Sequence, residues 1–225
     1  MSIIVYSVNT GGYDDLKTPT IIDPNVRYIL FTDNKYFKSN LWEIYHVDFL
    51  SHLKDSRRIA RYVKINSHLV LPEHEYSVWI DHCYLPKTDN FSKLIKENPH
   101  NKVLCYTHDQ RKCIYEESIK VLQDKLDYPN LVNEQMERYR RDNFPKNQGL
   151  FDTGFTIRKN SDKVKLFNET WWNEIVKGSA RDQLSQVYSA WKTNTNIMGF
   201  KIGLNIYNNP YLFTKIKHPK KWQST

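Results

Sequence analysis

An α/β fold built on a central, mostly parallel sheet is what this sequence predicts, and three observations carry that expectation. Short apolar runs alternate with helical stretches through the first two-thirds of the chain. Those runs are nearly continuous in hydrophobicity, the pattern of strands covered on both faces. The 225 residues, 40% hydrophobic and 26% charged, have the size and composition of one globular unit, so a single domain over 1–225 is expected.

The elements follow in order. Ile3 to Val8 is a β-branched run stopped by the turn signal Asn9, Thr10, Gly11 and Gly12. Tyr28 to Asp33 and Trp42 to Val47 read as the second and third strands. Asp55 or Ser56 can cap a helix running to about Val70, with Pro72 as the stop. Tyr76 to Ile80 is almost wholly apolar and reads as a central strand, and Lys102 to Tyr106 as the next. Helices are expected over Ile114 to Gln123 and Leu131 to Arg141, and a sixth strand over Gly149 to Arg158. Two more helices, Asp162 to Val176 and Arg181 to Trp191, precede an extended stretch from Ile197 to Tyr207 and a basic end. The expected sheet therefore has six or more strands.

Composition excludes several classes. No run approaches the ~18 apolar residues of a membrane span. The first residues lack the basic and apolar regions of a signal peptide. Three cysteines (Cys83, Cys105, Cys113) suit neither a zinc knuckle nor a disulfide framework, which points to a reducing, cytoplasmic setting or a membrane face reached from it. Lys and Arg exceed Asp and Glu by 33 to 25, a net charge of +8, so an anionic partner is expected: nucleic acid, a phosphorylated small molecule or an anionic membrane. Fifteen tyrosines and six tryptophans offer flat faces for bases or sugars, or simply a Tyr-rich core.

In parallel sheets ligands sit beyond the carboxyl ends of the strands. There the sequence puts Asp81, in Trp79-Ile80-Asp81-His82-Cys83, where a carboxylate can hold a divalent cation or cap a turn. On the helix from Ser56, Arg57, Arg61, Lys64 and His68 fall on one stripe, beside an apolar stripe of Ile59, Val63 and Val70. Such a stripe presents cations to phosphates or is a solvated face. Arg181, Asp182 and Gln183 open a helix, so Asp182 either complements the helix dipole or enters the cleft with Gln183. The basic end can fold back with His218 on a metal and lysines on phosphate; imidazole favours Mn²⁺ over Mg²⁺. Walker-type loops, Gly-x-Gly-x-x-Gly, Gly-x-Ser-x-Gly and His-Glu-x-x-His are absent.

Taken together, the pieces resemble a glycosyltransferase-like family catalogued as domain of unknown function 616, with bacterial, algal-virus and plant mucilage-related members. The matching stretches run from Val5-Tyr6-Ser7 through Gly11 to Leu16, Phe31-Thr32-Asp33, Arg57 to Lys64 and Trp79-Ile80-Asp81. They continue with His108, Cys113 to Glu117, Gln135 to Arg140, Gly149 to Thr153, Trp171 to Ile175 and Arg181 to Ser185. The resemblance implies a GT-A, Rossmann-like domain that binds a UDP-sugar with Mn²⁺ or Mg²⁺ and transfers the sugar, with retention, to a glycan or glycoprotein acceptor. By position, Thr10, Gly12, Tyr13 and Asp33 would bind the nucleoside, and Arg57, Arg61, Lys64 and Lys221 the phosphates or sugar. Asp81 and His218 would hold the metal, although Cys83 stands where the usual Asp-x-Asp pair has its second carboxylate. Glycosyl transfer also needs a carboxylate near the anomeric carbon, for which Asp152 and Asp182 are candidates beside Gln183. A nucleic-acid-binding module and a catalytically inactive sugar-binding domain are the competing expectations. No RRM-type signature is present, so no nucleic acid is expected as partner; no transmembrane segment is expected, only peripheral membrane contact. If the chain is viral, its compartment is the host cytoplasm.

Overall fold

The computed structural model describes residues 1–98, 102–200 and 213–216. Its main sheet has seven strands in the order β3-β2-β1-β4-β7-β6-β8. These are β1 (Ile3–Asn9), β2 (Arg27–Thr32), β3 (Glu43–His46), β4 (Tyr76–Ile80), β6 (Val103–Thr107), β7 (Phe151–Lys159) and β8 (Ile197–Gly199). All pair in parallel except β7, which runs antiparallel to both β4 and β6. A small second sheet joins β5 (Tyr84–Pro86) to β9 (Phe213–Lys215). The helices are α1 (Ser56–Ile65), α2 (Ser67–Val70), α3 (Phe91–Lys96), α4 (Ile114–Gln123), α5 (Pro129–Arg141), α6 (Asp162–Lys177) and α7 (Gln183–Lys192).

The α/β expectation holds because the strands are buried on both sides. Ile4, Tyr6, Ile29, Phe31 and Trp79 pack with Val63 of α1 on one face, where Val103 and Cys105 continue the layer against Phe167, Trp171 and Ile175 of α6. The alternate residues Ile3, Val5, Leu30, Val78, Ile80 and Ile157 pack with Phe91 and Ile95 of α3 on the other. Helices α4, α5 and α7 form a third apolar cluster in which the Tyr139 and Tyr188 rings stack with centroids 3.6 Å apart.

Two departures from the sequence expectation have local causes. The helix expected to reach Val70 ends at Ile65, because Asn66 leaves helical geometry (φ −91°, ψ 44°) and bonds back to the Tyr62 carbonyl through both its backbone and side-chain nitrogens. The sixth strand starts at Phe151 because Gly149 has φ +91°, a turn that its N–H closes onto the Lys112 carbonyl.

One side chain ties the halves of the sheet layer together. Arg158 of β7 is 1% exposed. It donates to the carbonyls of Lys64 and Ile65, to the Tyr6 hydroxyl and to the Asn168 amide oxygen. A guanidinium thus satisfies the last carbonyls of α1, where the helix dipole favours a cation. Among the described residues no helix is long and apolar enough to cross a membrane.

Candidate active site

The carboxyl ends of β1, β2 and β4 lie together because those strands are parallel, and a cleft of about 630 Å³ opens there. Its volume lies within the range typical of small-molecule sites. Thr10, Tyr13, Arg57, Arg61 and Asp81 line it, as the sequence predicts. So do Ser56, Asp124, Leu126, Ala180 and Arg181, none of which the sequence singles out for binding.

The loop after β1 is built for close approach. Gly11 and Gly12 have φ +71° and +59°. A Cβ at Gly11 would lie 2.8 Å from Ser56 Oγ. Asp33 is exposed and accepts the Gly11 N–H at 2.7 Å, so it holds the turn. Asn9 Nδ2 donates to the Asp14 carbonyl at 2.8 Å, and Thr10 Oγ1 to the Ser56 carbonyl at 3.2 Å, which fixes the loop against α1. Gly12 and Asp33 frame this loop without lining the cleft.

Helix α1 starts at Ser56 because the Asp55 side chain caps it, accepting the Arg57 N–H at 2.9 Å. Its basic stripe divides. Arg57 and Arg61 reach the cleft, whereas Lys64 is 1% exposed and lies beneath it. His68 turns away, within 3.3 Å of the Asn168 amide.

Lys64 is the centre of a buried charge cluster. Its Nζ is 2.6 Å from Asp182 Oδ2 and 3.3 Å from Asp81 Oδ1, and it sits 5.4 Å from the centre of the Trp79 ring. Trp79 Nε1 donates to the same Asp81 oxygen at 2.8 Å. Arg61 Nε lies 3.2 Å from Asp182 Oδ1. Asp182 is 3% exposed, and its carboxylate faces these cations instead of capping α7. Burial pushes the Asp182 carboxyl up, but Arg61, Lys64 and Arg181 outweigh it and hold the group well below the usual carboxylate range. The expectation that the Asp182 carboxylate enters the cleft is thereby corrected. Gln183 is likewise engaged, donating to the Phe151 carbonyl at 3.2 Å.

Asp152 stands close to Asp81 through a local irregularity of the sheet. The β6–β7 register shifts between Cys105 and Tyr106, so that Thr153 to Phe155 bulge past β6. A Cβ at Gly154 would lie 3.2 Å from Asp81 Oδ2 and 3.1 Å from Asp152 Oδ1. The glycine therefore leaves a recess flanked by two carboxylates. Hard oxygen donors of this kind suit Mg²⁺ or Mn²⁺, which take one or two carboxylates and complete their shell with substrate phosphate and water. Cys83 belongs to the apolar cluster beneath the opposite face, so position 83 does not supply the second carboxylate and Asp152 is its nearest counterpart. No group of three or more metal-ligating side chains occurs among the described residues. His218 and Lys221 lie outside the described residues.

The wall opposite α1 is anchored by a residue that the sequence does not mark. Asp127, 1% exposed, accepts from Ser179 Oγ at 2.6 Å and Ala180 N at 2.7 Å, and lies 3.4 Å from Arg57 Nη1. Nothing in its neighbourhood, a loop between two helices, signals that contact. Arg181, beside the anticipated Asp182, also lines the cleft, and its Nε is buried without a hydrogen-bond partner.

A strand-end cleft lined by Arg57, Arg61 and Arg181 together with Asp14, Asp81 and Asp124, on a seven-stranded, mostly parallel sheet, is the layout of a GT-A-like domain. The model of the TOD1/MUCI70 glycosyltransferase-like domain matches residues 1–215, and the chain belongs to that family. A search of curated proteins gives no match.

Proposed function

We propose that the protein moves a sugar from a UDP-sugar to a glycan or glycoprotein acceptor, with retention and with Mn²⁺ or Mg²⁺ bound. The observation that carries this reading is the alternation of charge around one cleft, where Arg57, Arg61 and Arg181 stand among Asp14, Asp81 and Asp124, with Asp152 behind Asp81 across the Gly154 recess. Cations of that geometry neutralise the diphosphate as it leaves. The nucleoside lies over Thr10, Gly12 and Tyr13, on the turn that Asp33 holds. Asp81 and His218 would hold the metal, and Lys221 would meet a phosphate. The metal, when bound, adds positive charge at the leaving diphosphate. Asp152, not Asp182, is the carboxylate facing the anomeric carbon, because a group stabilising developing positive charge must reach it, and Asp182 is locked between Lys64 and Arg61. Asp182 and Gln183 act as positioning residues, the first for Lys64 and Arg61, the second for Phe151 and so for Asp152. The three cysteines are buried and free, which supports a cytoplasmic setting.

Calorimetry with UDP, GDP and CMP, each with Mn²⁺ and with chelator, tests the reading. UDP binds tightest and only with metal, and Asp81→Ala removes the metal-dependent part. Equal binding of the three nucleotides, or binding indifferent to chelator, refutes it. A melting shift with a single-stranded oligonucleotide and none with UDP would favour the nucleic-acid reading instead.

A further inference from the structure

A second groove, of about 410 Å³, lies along α7. Its chemistry differs from that of the first. Gln148, Phe151, Trp191, Asn194 and Asn196 contribute to its lining, and none of the residues that form it carries a charge. The first cleft, by contrast, is lined by Asp14, Arg57, Arg61, Asp81, Asp124 and Arg181. Carboxamides each donate and accept, which matches hydroxyl groups, and an indole face covers the C–H face of a sugar ring. Trp191 is 40% exposed, yet its ring is steadied by edge contact with Phe144, centroids 5.4 Å apart.

The rim is also preorganised. Helix α7 ends with Asn194 at φ +50°, its N–H on the Trp191 carbonyl and the Thr195 N–H on the Ala190 carbonyl at 2.8 Å. That closure fixes the backbone that carries Asn194 and Asn196. The groove borders the same strand as the proposed chemistry but on the other face of the sheet: Phe151 lines it, whereas the next residue, Asp152, points to the opposite face, where it flanks the Gly154 recess.

We infer that this groove is a glycan-binding subsite away from the reaction centre and holds a neutral, polyhydroxylated segment of the acceptor, with a sugar ring on Trp191 and hydroxyls on Gln148, Asn194 and Asn196. The inference rests on the transferase reading for the word acceptor, but binding itself is measurable without turnover. The probes are three neutral trisaccharides (cellotriose, mannotriose and xylotriose), followed by saturation-transfer NMR on the full chain, with UDP binding measured separately. At least one trisaccharide binds, and Trp191→Ala weakens it about tenfold. Because Trp191 also packs on Phe144, Asn196→Ala at an exposed rim position serves as the second variant; it weakens the same ligand while leaving the melting temperature unchanged. No binding of any trisaccharide, or binding that both variants leave intact, overturns the inference. Trisaccharide binding that depends on Trp191 in a protein that ignores UDP would keep the subsite and refute the transferase reading.

Discussion

Lys64→Met removes the buried ammonium and keeps its length. At an effective dielectric of about 20, its attraction to Asp182 at 2.6 Å is ~6 kcal/mol and to Asp81 at 3.3 Å ~5 kcal/mol, against ~5 kcal/mol between Asp182 and Arg61 at 3.2 Å. Desolvation offsets most of this in the intact cluster, but removing one partner leaves Asp182 buried with half its compensation. The expected loss is ~3–5 kcal/mol, or roughly 6–20 °C in melting temperature for a chain of this size. The pH dependence gives a second readout. The folded pKa of Asp182 is depressed, so its stabilisation is present above the unfolded value near ~4 and is lost as pH falls through the folded value. Without Lys64, burial acts against fewer cations, the folded pKa rises, and acid unfolding begins at higher pH. Urea titrations across pH on the wild type, Lys64→Met and Lys64→Met with Asp182→Asn measure both. The double variant regains much of the loss, since the uncompensated charge is gone. A single-variant loss under ~1 kcal/mol, or full additivity of the two substitutions, would refute the reasoning.

The remaining predictions concern the walls of the cleft. Gly154→Ala puts a Cβ 2.8 Å from the Tyr84 ring and between the two carboxylates, so metal-dependent UDP affinity falls about tenfold by calorimetry. Asp127→Ala strands the Ser179 hydroxyl and the Ala180 N–H, which costs ~2–4 kcal/mol in urea denaturation and lowers UDP affinity as the wall and Arg57 lose their anchor. Gly11→Ala forces a side chain into φ +71° against Ser56 Oγ, a loss of ~1–2 kcal/mol or more in thermal melts.

The strands were legible because burial on both faces leaves an apolar run that few other structures explain. Tyr76 to Ile80 is the plainest case, and the residue after it, Asp81, lines the cleft as strand-end reasoning requires. Helix spacing put Arg57, Arg61 and Lys64 on one stripe, of which the first two line the cleft and Lys64 lies beneath it, because periodicity tells which stripe a residue occupies and not how deep that stripe sinks at its far end. Asp182 was misjudged for a related reason: an acid at a helix start looks the same in sequence whether it faces solvent or two buried cations. Asp152 could be named from the resemblance, but its approach to Asp81 depends on a bulge opposite a strand nearly fifty residues away in sequence, for which no local pattern exists. Short elements such as α3 and β5 carry too few residues to show a period at all.

The antiparallel strand β7 has a consequence for how the molecule is made. During synthesis β4 leaves the ribosome about 70 residues before β7, its neighbour in the sheet, an interval of roughly 4–14 s at ordinary elongation rates. For that time β4 presents an open edge, Asp81 lacks its facing carboxylate, and the last carbonyls of α1 lack the Arg158 guanidinium that later satisfies them. The nascent amino-terminal half is therefore a waiting half-sheet. It can mispair with another nascent chain until β7 inserts, and the step that ends this exposure is also the step that brings Asp152 beside Asp81, so the paired carboxylates and a protected sheet arrive together.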